Sequence, residues 1–414
     1  MESVTISDTR KPTRTQELAA ELADGLVSFR RELHRIPELG NDLPLTQRRL
    51  LAELEGLGME ITLGRSLSSV TAVLRGGAVP AGGTKPVVLL RGDMDALPVT
   101  EDNGLEYRSS HEGLMHACGH DMHVAGLVGA ARILSSLKDE LAGDVVFMFQ
   151  PGEEGPGGAL PMIEEGVLEA AGRRVDAAFG LHVFSAAHPR GVWFGRPGPQ
   201  MAAVDDLHVR FIGSGGHGSQ PHHANDPIPA LCEAVTALQT MVTRAFDVFD
   251  PVVLTVGRIA GGTRENIIPE HAEFDATVRS FSAESRAAIK ERSVRLLEGI
   301  AASHGLKADV NYHELYPVTE NAPDAYELAR GTIVDLFGEE RYEPMANPMP
   351  GAEDFSFVGN EVPSAYLFLS ACAHGDPADA GSNHSPHALF DDAVLPDAAA
   401  WLAEVALRRI NQGA

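Results

Sequence analysis

Met115–His123 (MHACGHDMH) sets a thiol, Cys118, two residues before an imidazole, His120, at the entrance to a helical stretch. Thiolate and imidazole are borderline-soft ligands that suit zinc and similar divalent metals. Gln150–Gly155 (QPGEEG) sets two adjacent carboxylates, Glu153 and Glu154, at the C-terminal end of an apolar run. There one carboxylate can bind metal while its neighbour serves as general base. His182 ends a third apolar run (AFGLHV), Gly381–His387 (GSNHSPH) carries His384 and His387, and Asp93 and Asp95 close the first run in RGDMDALP. Taken singly, each segment has a plain structural reading, such as a buried cysteine with capping histidines or a pair of solvated loop acids. Open α/β sheets bind ligands outside the carboxyl ends of their strands. Metal-binding side chains from four separate segments fall at that edge, which chance placement rarely produces.

The elements that must position these groups can be read from periodicity. Leu18, Leu22, Leu26, Phe29 and Leu33 recur at helical spacing, and Pro37 stops that helix. A polar tail, residues 1–15, precedes it and is expected to be disordered. Short apolar runs at Pro86–Arg91, Asp144–Gln150 and Ala177–Leu181 predict buried strands, and Val124–Leu137 predicts a helix. Strands alternating with helices imply an α/β domain: a mostly parallel sheet with helices on both faces. After Gly198 the pattern becomes strand (Leu207–Ile212), helix (Pro227–Phe246), strand (Val252–Ile259), strand (Ala272–Phe281), helix (Ser282–His304) and strand (Ala308–His313). That order is a split ferredoxin-like α+β unit. The expected division is a catalytic domain of residues 1–200 and 317–414, with a domain of residues 201–316 inserted into it.

The 414 residues carry a net charge of −25, which argues against nucleic acid or an anionic membrane as partner. Cys118, Cys232 and Cys372 are far apart in sequence, so a reducing compartment fits better than a disulfide scaffold. The N-terminus has no apolar core of signal-peptide length, and no run of 18 apolar residues occurs. A cytoplasmic protein is expected.

RGDMDALP, MHACGHDMH, QPGEEG, FGLHV, GSGGHGSQPH, ENIIPE, PGAEDFS and SNHSP follow one another in an order and spacing that resembles the di-metal amidohydrolase and aminoacylase family. That family includes bacterial hippurate hydrolases, plant auxin-conjugate hydrolases and N-acyl amino acid deacylases. The match runs from RRELHRIPELG (30–40) to the C-terminus. The resemblance implies five metal ligands, Cys118, His120, Glu154, His182 and His384, with Glu153 as general base and acid. In distant relatives, such as acetylornithine deacetylase, a metal-ligating histidine stands where this chain has Asp93. Cys118 replaces it here, as in the hippurate-hydrolase branch. Asp95 is expected to orient a ligand from behind, and Met122 stands where glycine is usual.

The resemblance also implies a lid domain that dimerises and supplies His217, from the neighbouring subunit, to the developing oxyanion. It places Asn266, Arg279 and the backbone of Gly351 on the substrate's carboxylate. The implied reaction is metal-dependent hydrolysis of an N-acyl amino acid by two divalent ions per subunit, Zn or Mn first, with Co or Ni also suited. The nearest alternative is a dipeptidase or carboxypeptidase of the same fold.

Other classes fit less well. Gly213, Gly215 and Gly218 spell G-x-G-x-x-G, but Pro221, Pro227 and Pro229 follow where a nucleotide-binding helix should open. No G-x-S-x-G elbow occurs, and His116 lies one residue too far from His111-Glu112 for H-E-x-x-H. A Cys118 nucleophile would work in EDTA, whereas a metal enzyme would not. A metal-binding scaffold without activity would most simply lack Glu153 or a ligand, and none is missing.

Overall fold

The structure, a computed structural model, describes residues 11–80 and 83–412. The chain divides into two compact units, residues 1–198, 321–346 and 358–414 in the first and 199–320 with 347–357 in the second. Elements of the first unit open the chain: α1 (Arg14–His34), α2 (Pro44–Leu54), β1 (Glu60–Leu63), β2 (Val70–Leu74) and β3 (Val87–Asp93). They continue with α3 (His120–Ser136), β4 (Asp144–Gln150), α4 (Ala159–Glu164), β5 (Ala177–Phe184) and β6 (Trp193–Gly195). The second unit runs from β7 (Gly198–Met201) through β8 (Ala203–Ile212), β9 (Gly216–His217), α5 (Pro227–Ala245) and β10 (Val252–Gly261). Then come β11 (Ile267–Ile268), β12 (His271–Ser280), α6 (Ala283–Ser303), β13 (Lys307–Tyr316) and β14 (Thr319–Asn321). The chain closes with α7 (Pro323–Phe337), β15 (Tyr342–Pro344), α8 (Ser356–Glu361), β16 (Ser364–Ser370) and α9 (Leu395–Gln412).

The first unit is α/β. Its eight-stranded sheet has the order β1-β2-β4-β3-β5-β16-β6-β15. The central strands β4, β3, β5 and β16 pair in parallel, while β1, β2 and β6 join antiparallel. β3, β4 and β16 are buried along their whole length, which explains their unbroken apolar runs. α3 and α9 pack on the sheet and on each other, with α1 across both. Small residues let them approach: a Cβ on Gly129 would lie 2.6 Å from that of Ala399.

The second unit pairs four antiparallel strands in the order β10-β12-β8-β13, with α5 and α6 on one face. This is the ferredoxin-like arrangement. Leu207, Val209 and Phe211 of β8 and Phe274, Ala276 and Val278 of β12 alternate into its core. Asp226 caps α5 by accepting from the Ile228 N–H at 3.0 Å, and Ser282 caps α6 by accepting from Ser285 N–H at 2.9 Å.

Several boundaries differ from those read in the sequence. α3 starts at His120 rather than Val124, because His120, Asp121 and His123 hide its first turn from an apolar pattern. α1 starts at Arg14, capped by Thr13, so the expected tail of residues 1–15 ends sooner; residues 1–10 lie outside the described residues, as do 81 and 82 in the glycine-rich loop. Residues 347–357, grouped by sequence with the first domain, belong to the second unit: Ala202 N–H donates to the carbonyls of Met349 and Gly351 at 3.0 and 2.9 Å. Among the described residues no helix is long and apolar enough to cross a membrane.

Candidate metal centre

β3, β4 and β5 run parallel, so their carboxyl ends share one edge of the sheet. β3 ends at Asp93, opposite Gln150 at the end of β4; Asp95 lies two residues beyond the first, and Glu153 and Glu154 lie three and four residues beyond the second. His182 lies near the end of β5. The chain reaches α3 through Gly119, whose φ of 85° is left-handed and whose added Cβ would lie 2.6 Å from Val183 Cγ2. Only glycine fits there, and it turns Cys118 and His120 onto the same edge.

Four of the expected ligands meet within hydrogen-bonding distance. Cys118 Sγ lies 3.3 Å from His182 Nε2 and 3.2 Å from His384 Nε2. His384 Nε2 lies 3.2 Å from Glu154 Oε1, and His120 Nε2 lies 3.8 Å from the same oxygen. The donor atoms of Cys118, His120 and His182 lie within 4.8 Å of one another, as do those of Cys118, Glu154 and His384, so two triads share the thiol. Glu153 joins His120 and Glu154 in a third group and is buried.

The donor set suits a divalent cation. Both ring nitrogens of His120 are buried without a hydrogen-bond partner, and the buried Glu154 Oε1 faces the imidazoles of His120 and His384. Each unpartnered group costs about 1–3 kcal/mol, so their collection at one point calls for an ion. Burial and the Glu154 charge push the Cys118 thiol up, although His120 and His384 pull it down. Such a thiol keeps its proton until a cation takes its place. His182 donates Nδ1–H to the Val183 carbonyl at 2.8 Å, which leaves the Nε2 lone pair facing Cys118. The Cys118 and Glu154 partners hold the His384 imidazole up at about 10. His384 is also the one described non-glycine residue with positive φ, at 69°, a strain that marks functional positions.

Asp95 stands behind the site. Its two oxygens accept the backbone N–H groups of Glu153 and Glu154, each at 3.0 Å, and Oδ1 lies 3.4 Å from His120 Nδ1. Asp93 and His123 form a further group with His120. His123 is already committed: Nδ1 bonds to Asp93, and Nε2 accepts the Val183 N–H at 2.8 Å. His123 therefore holds the end of β5 rather than an ion. Burial raises the Asp93 carboxyl, but Arg91, His120 and His123 outweigh it and keep the group well below the usual range.

A buried charge network supports α3. Arg30 pairs with Asp121 at 2.9 Å and Asp392 at 3.1 Å. His34 presents Nδ1 to Asp121 at 2.7 Å and Nε2 to Glu101 at 2.9 Å, so both nitrogens face carboxylates. Burial and Arg30 lower its pKa, yet these carboxylates leave it raised overall. The sequence offered His34 and His123 only as members of longer motifs, without a role.

The remaining expected residues lie in the second unit. His217 is exposed on β9, paired with Ile267, and its Nδ1 accepts the Ser219 N–H at 3.2 Å, leaving Nε2 as the N–H donor. Asn266 is exposed next to it, accepting the Gly218 N–H at 2.9 Å. Arg279 is half-buried on β12 and has no ion-pair partner among the described residues; burial lowers its pKa against the pull of Asp206 and Asp205. Gly351 is exposed.

Comparison with known proteins agrees on kinship. Residues 89–408 match peptidase family M20/M25/M40. Thermostable carboxypeptidase 1 of Saccharolobus solfataricus is 36% identical over 95% of this chain and 97% of its own. The IAA-amino acid hydrolase ILR1-like 2 of Arabidopsis thaliana is 35% identical over 95% of this chain and 87% of its own. The crystal structure of Bacillus subtilis YXEP, a dinuclear metal binding peptidase, superposes with a TM-score of 0.80 at 30% identity, covering 95% of this chain and all of that one.

Proposed function

From the premise that the chain belongs to peptidase family M20/M25/M40 and is a metal-dependent amidohydrolase, we propose that it hydrolyses the amide bond of an N-acyl amino acid to a carboxylic acid and a free amino acid. The observation that carries this reading is the convergence of Cys118, His120, Glu154, His182 and His384, with buried unsatisfied donors, beside Glu153. In this proposal the five residues hold two divalent ions, Zn or Mn first, and the two triads that share Cys118 support that number. When bound, the ions supply Lewis acidity for an amide carbonyl and for water.

Glu153 takes the proton of the attacking water and passes it to the amine as the C–N bond breaks. Asp95 keeps Glu153 and Glu154 in register through their backbone N–H groups. His217 of a neighbouring subunit donates Nε2–H to the oxygen that gains charge. Asn266, Arg279 and the Gly351 backbone take the free carboxylate, a task for which an Arg fork without an ion-pair partner among the described residues is suited.

A homodimer through the second unit follows from the same reading. β10 is an edge strand with Val253 and Ile259 exposed, a surface prone to pair with another chain. The enzyme is assigned to the cytoplasm on its three unpaired cysteines. A second reading, a carboxypeptidase or dipeptidase, is favoured by the carboxypeptidase name of the Saccharolobus relative. The deciding test is amine release from N-acetyl and N-benzoyl amino acids and from dipeptides, with and without EDTA. EDTA-sensitive release from the acyl substrates is expected. Release from dipeptides alone would favour the second reading, and EDTA-resistant release would refute both.

A further inference from the structure

Asn383 precedes His384 and makes more bonds than a loop residue needs. Its Oδ1 accepts the Ser185 N–H at 2.9 Å and the Ser185 hydroxyl at 3.0 Å. Its Nδ2 donates to the Val183 carbonyl at 3.0 Å and the Cys118 carbonyl at 3.3 Å, and lies 3.8 Å from Cys118 Sγ. The partners fix the amide's orientation, since a flipped group would set Oδ1 against two carbonyls and Nδ2 against an N–H. One side chain thus ties together the segments that carry Cys118, His182 and His384, which are otherwise 64 and 202 residues apart along the chain.

The ties meet where the backbone is strained. His384 has φ 69°, and its N–H donates to the Ala117 carbonyl at 2.9 Å. The single Ser185 hydroxyl hydrogen is shared between Asn383 Oδ1 and the Gly381 carbonyl, which lies 2.8 Å from Oγ, closing the loop onto the end of β5. A residue held in the left-handed region persists only when its surroundings determine it, and here those surroundings are Asn383 and Ala117.

We propose that Asn383 is the positioning residue of the metal centre: it holds Cys118, His182 and His384 at ligating separation, with its Nδ2 amide group set 3.8 Å from the Cys118 sulfur. This rests on the two-ion reading above. The residue touches neither substrate nor ion, so its effect is on affinity and coordination.

The test compares wild type with Asn383→Asp, Asn383→Ser and Ser185→Ala, each purified metal-free and titrated with Co²⁺ against a chelator. Asn383→Asp keeps the shape but sets a carboxylate oxygen against the Cys118 and Val183 carbonyls; Asn383→Ser removes the reach. Both should weaken Co²⁺ affinity by about 10–100-fold, the usual range for residues behind metal ligands, and shift the sulfur-to-cobalt charge-transfer band. Ser185→Ala should move both readouts the same way by less. A merely structural asparagine would lower the unfolding temperature of the metal-free protein and leave affinity and spectrum at wild-type values, which would overturn the proposal. If both Asn383 variants fail to fold, Ser185→Ala decides by the same readouts. If wild type itself binds no Co²⁺, the two-ion reading falls instead, an outcome distinct from variants that match a metal-binding wild type.

Discussion

Asp95→Asn is the sharpest probe of how the site is held. The two carboxylate oxygens of Asp95 accept the N–H groups of consecutive residues, Glu153 and Glu154, at equal distances of 3.0 Å. An asparagine can accept only one of them, and its NH₂ must then face the other N–H, donor against donor. One charge-assisted bond is lost and the survivor becomes a neutral bond of about half the strength. Together these changes cost about 2–4 kcal/mol, taking about 1.5–3 kcal/mol for each bond to a charged group. The loss falls on the proposed base and the adjacent proposed ligand at once, and 1.4 kcal/mol is a tenfold change, so kcat/KM should drop by about 30- to 700-fold if the whole cost reaches the site. The assay is hydrolysis of an N-benzoyl amino acid with saturating metal, together with metal affinity by chelator competition. Activity and affinity both within threefold of wild type would show that Asp95 does not set the geometry of Glu153 and Glu154.

Three further perturbations probe the same unit. Glu153→Gln should lower kcat by about 10²–10⁴-fold with metal content unchanged; near-normal turnover would remove Glu153 as the base, and activity restored by mixing this variant with His217→Ala would support a donor from the neighbouring subunit. Gly119→Ala forces a left-handed alanine at φ 85° whose Cβ meets Val183 and Phe390 at 2.6 and 2.9 Å, a loss of about 2–5 kcal/mol from backbone and overpacking; a urea-unfolding change below about 0.5 kcal/mol would refute the requirement. His34→Gln removes the charge between Asp121 and Glu101 and should cost about 3–5 kcal/mol near pH 6. Because the folded-state pKa of His34 is raised, its stabilisation is full below the unfolded value of about 6.5 and fades as pH climbs through the folded value. The gap between wild type and variant should therefore narrow toward alkaline pH, and a gap that widens would contradict the assigned protonation.

The residues that would do chemistry were visible in sequence because they lie in short contiguous motifs at strand ends or at the entrance to a helix. Cys118 and His120, or Glu153 and Glu154, need no distant partner to be noticed. The α/β class was legible for a related reason: β4 is buried on both faces and so reads as an unbroken apolar run, while β8 and β12 alternate because their unit covers one face with helices. The sequence alone therefore determined which side chains were available and which elements would carry them.

Tertiary structure decided how each side chain is used. His123 resembles a ligand in MHACGHDMH, but Asp93 and the Val183 N–H take both of its nitrogens, and Val183 lies 60 residues away. Asn383 resembles ordinary loop chemistry until Cys118, Val183 and Ser185 arrive from elsewhere to receive it. His34 has its pKa raised by Asp121, 87 residues on, and Glu101, 67 residues on. A hydrogen bond needs its partner within about 3 Å and in line, and residue spacing along the chain sets neither distance nor direction between segments so far apart.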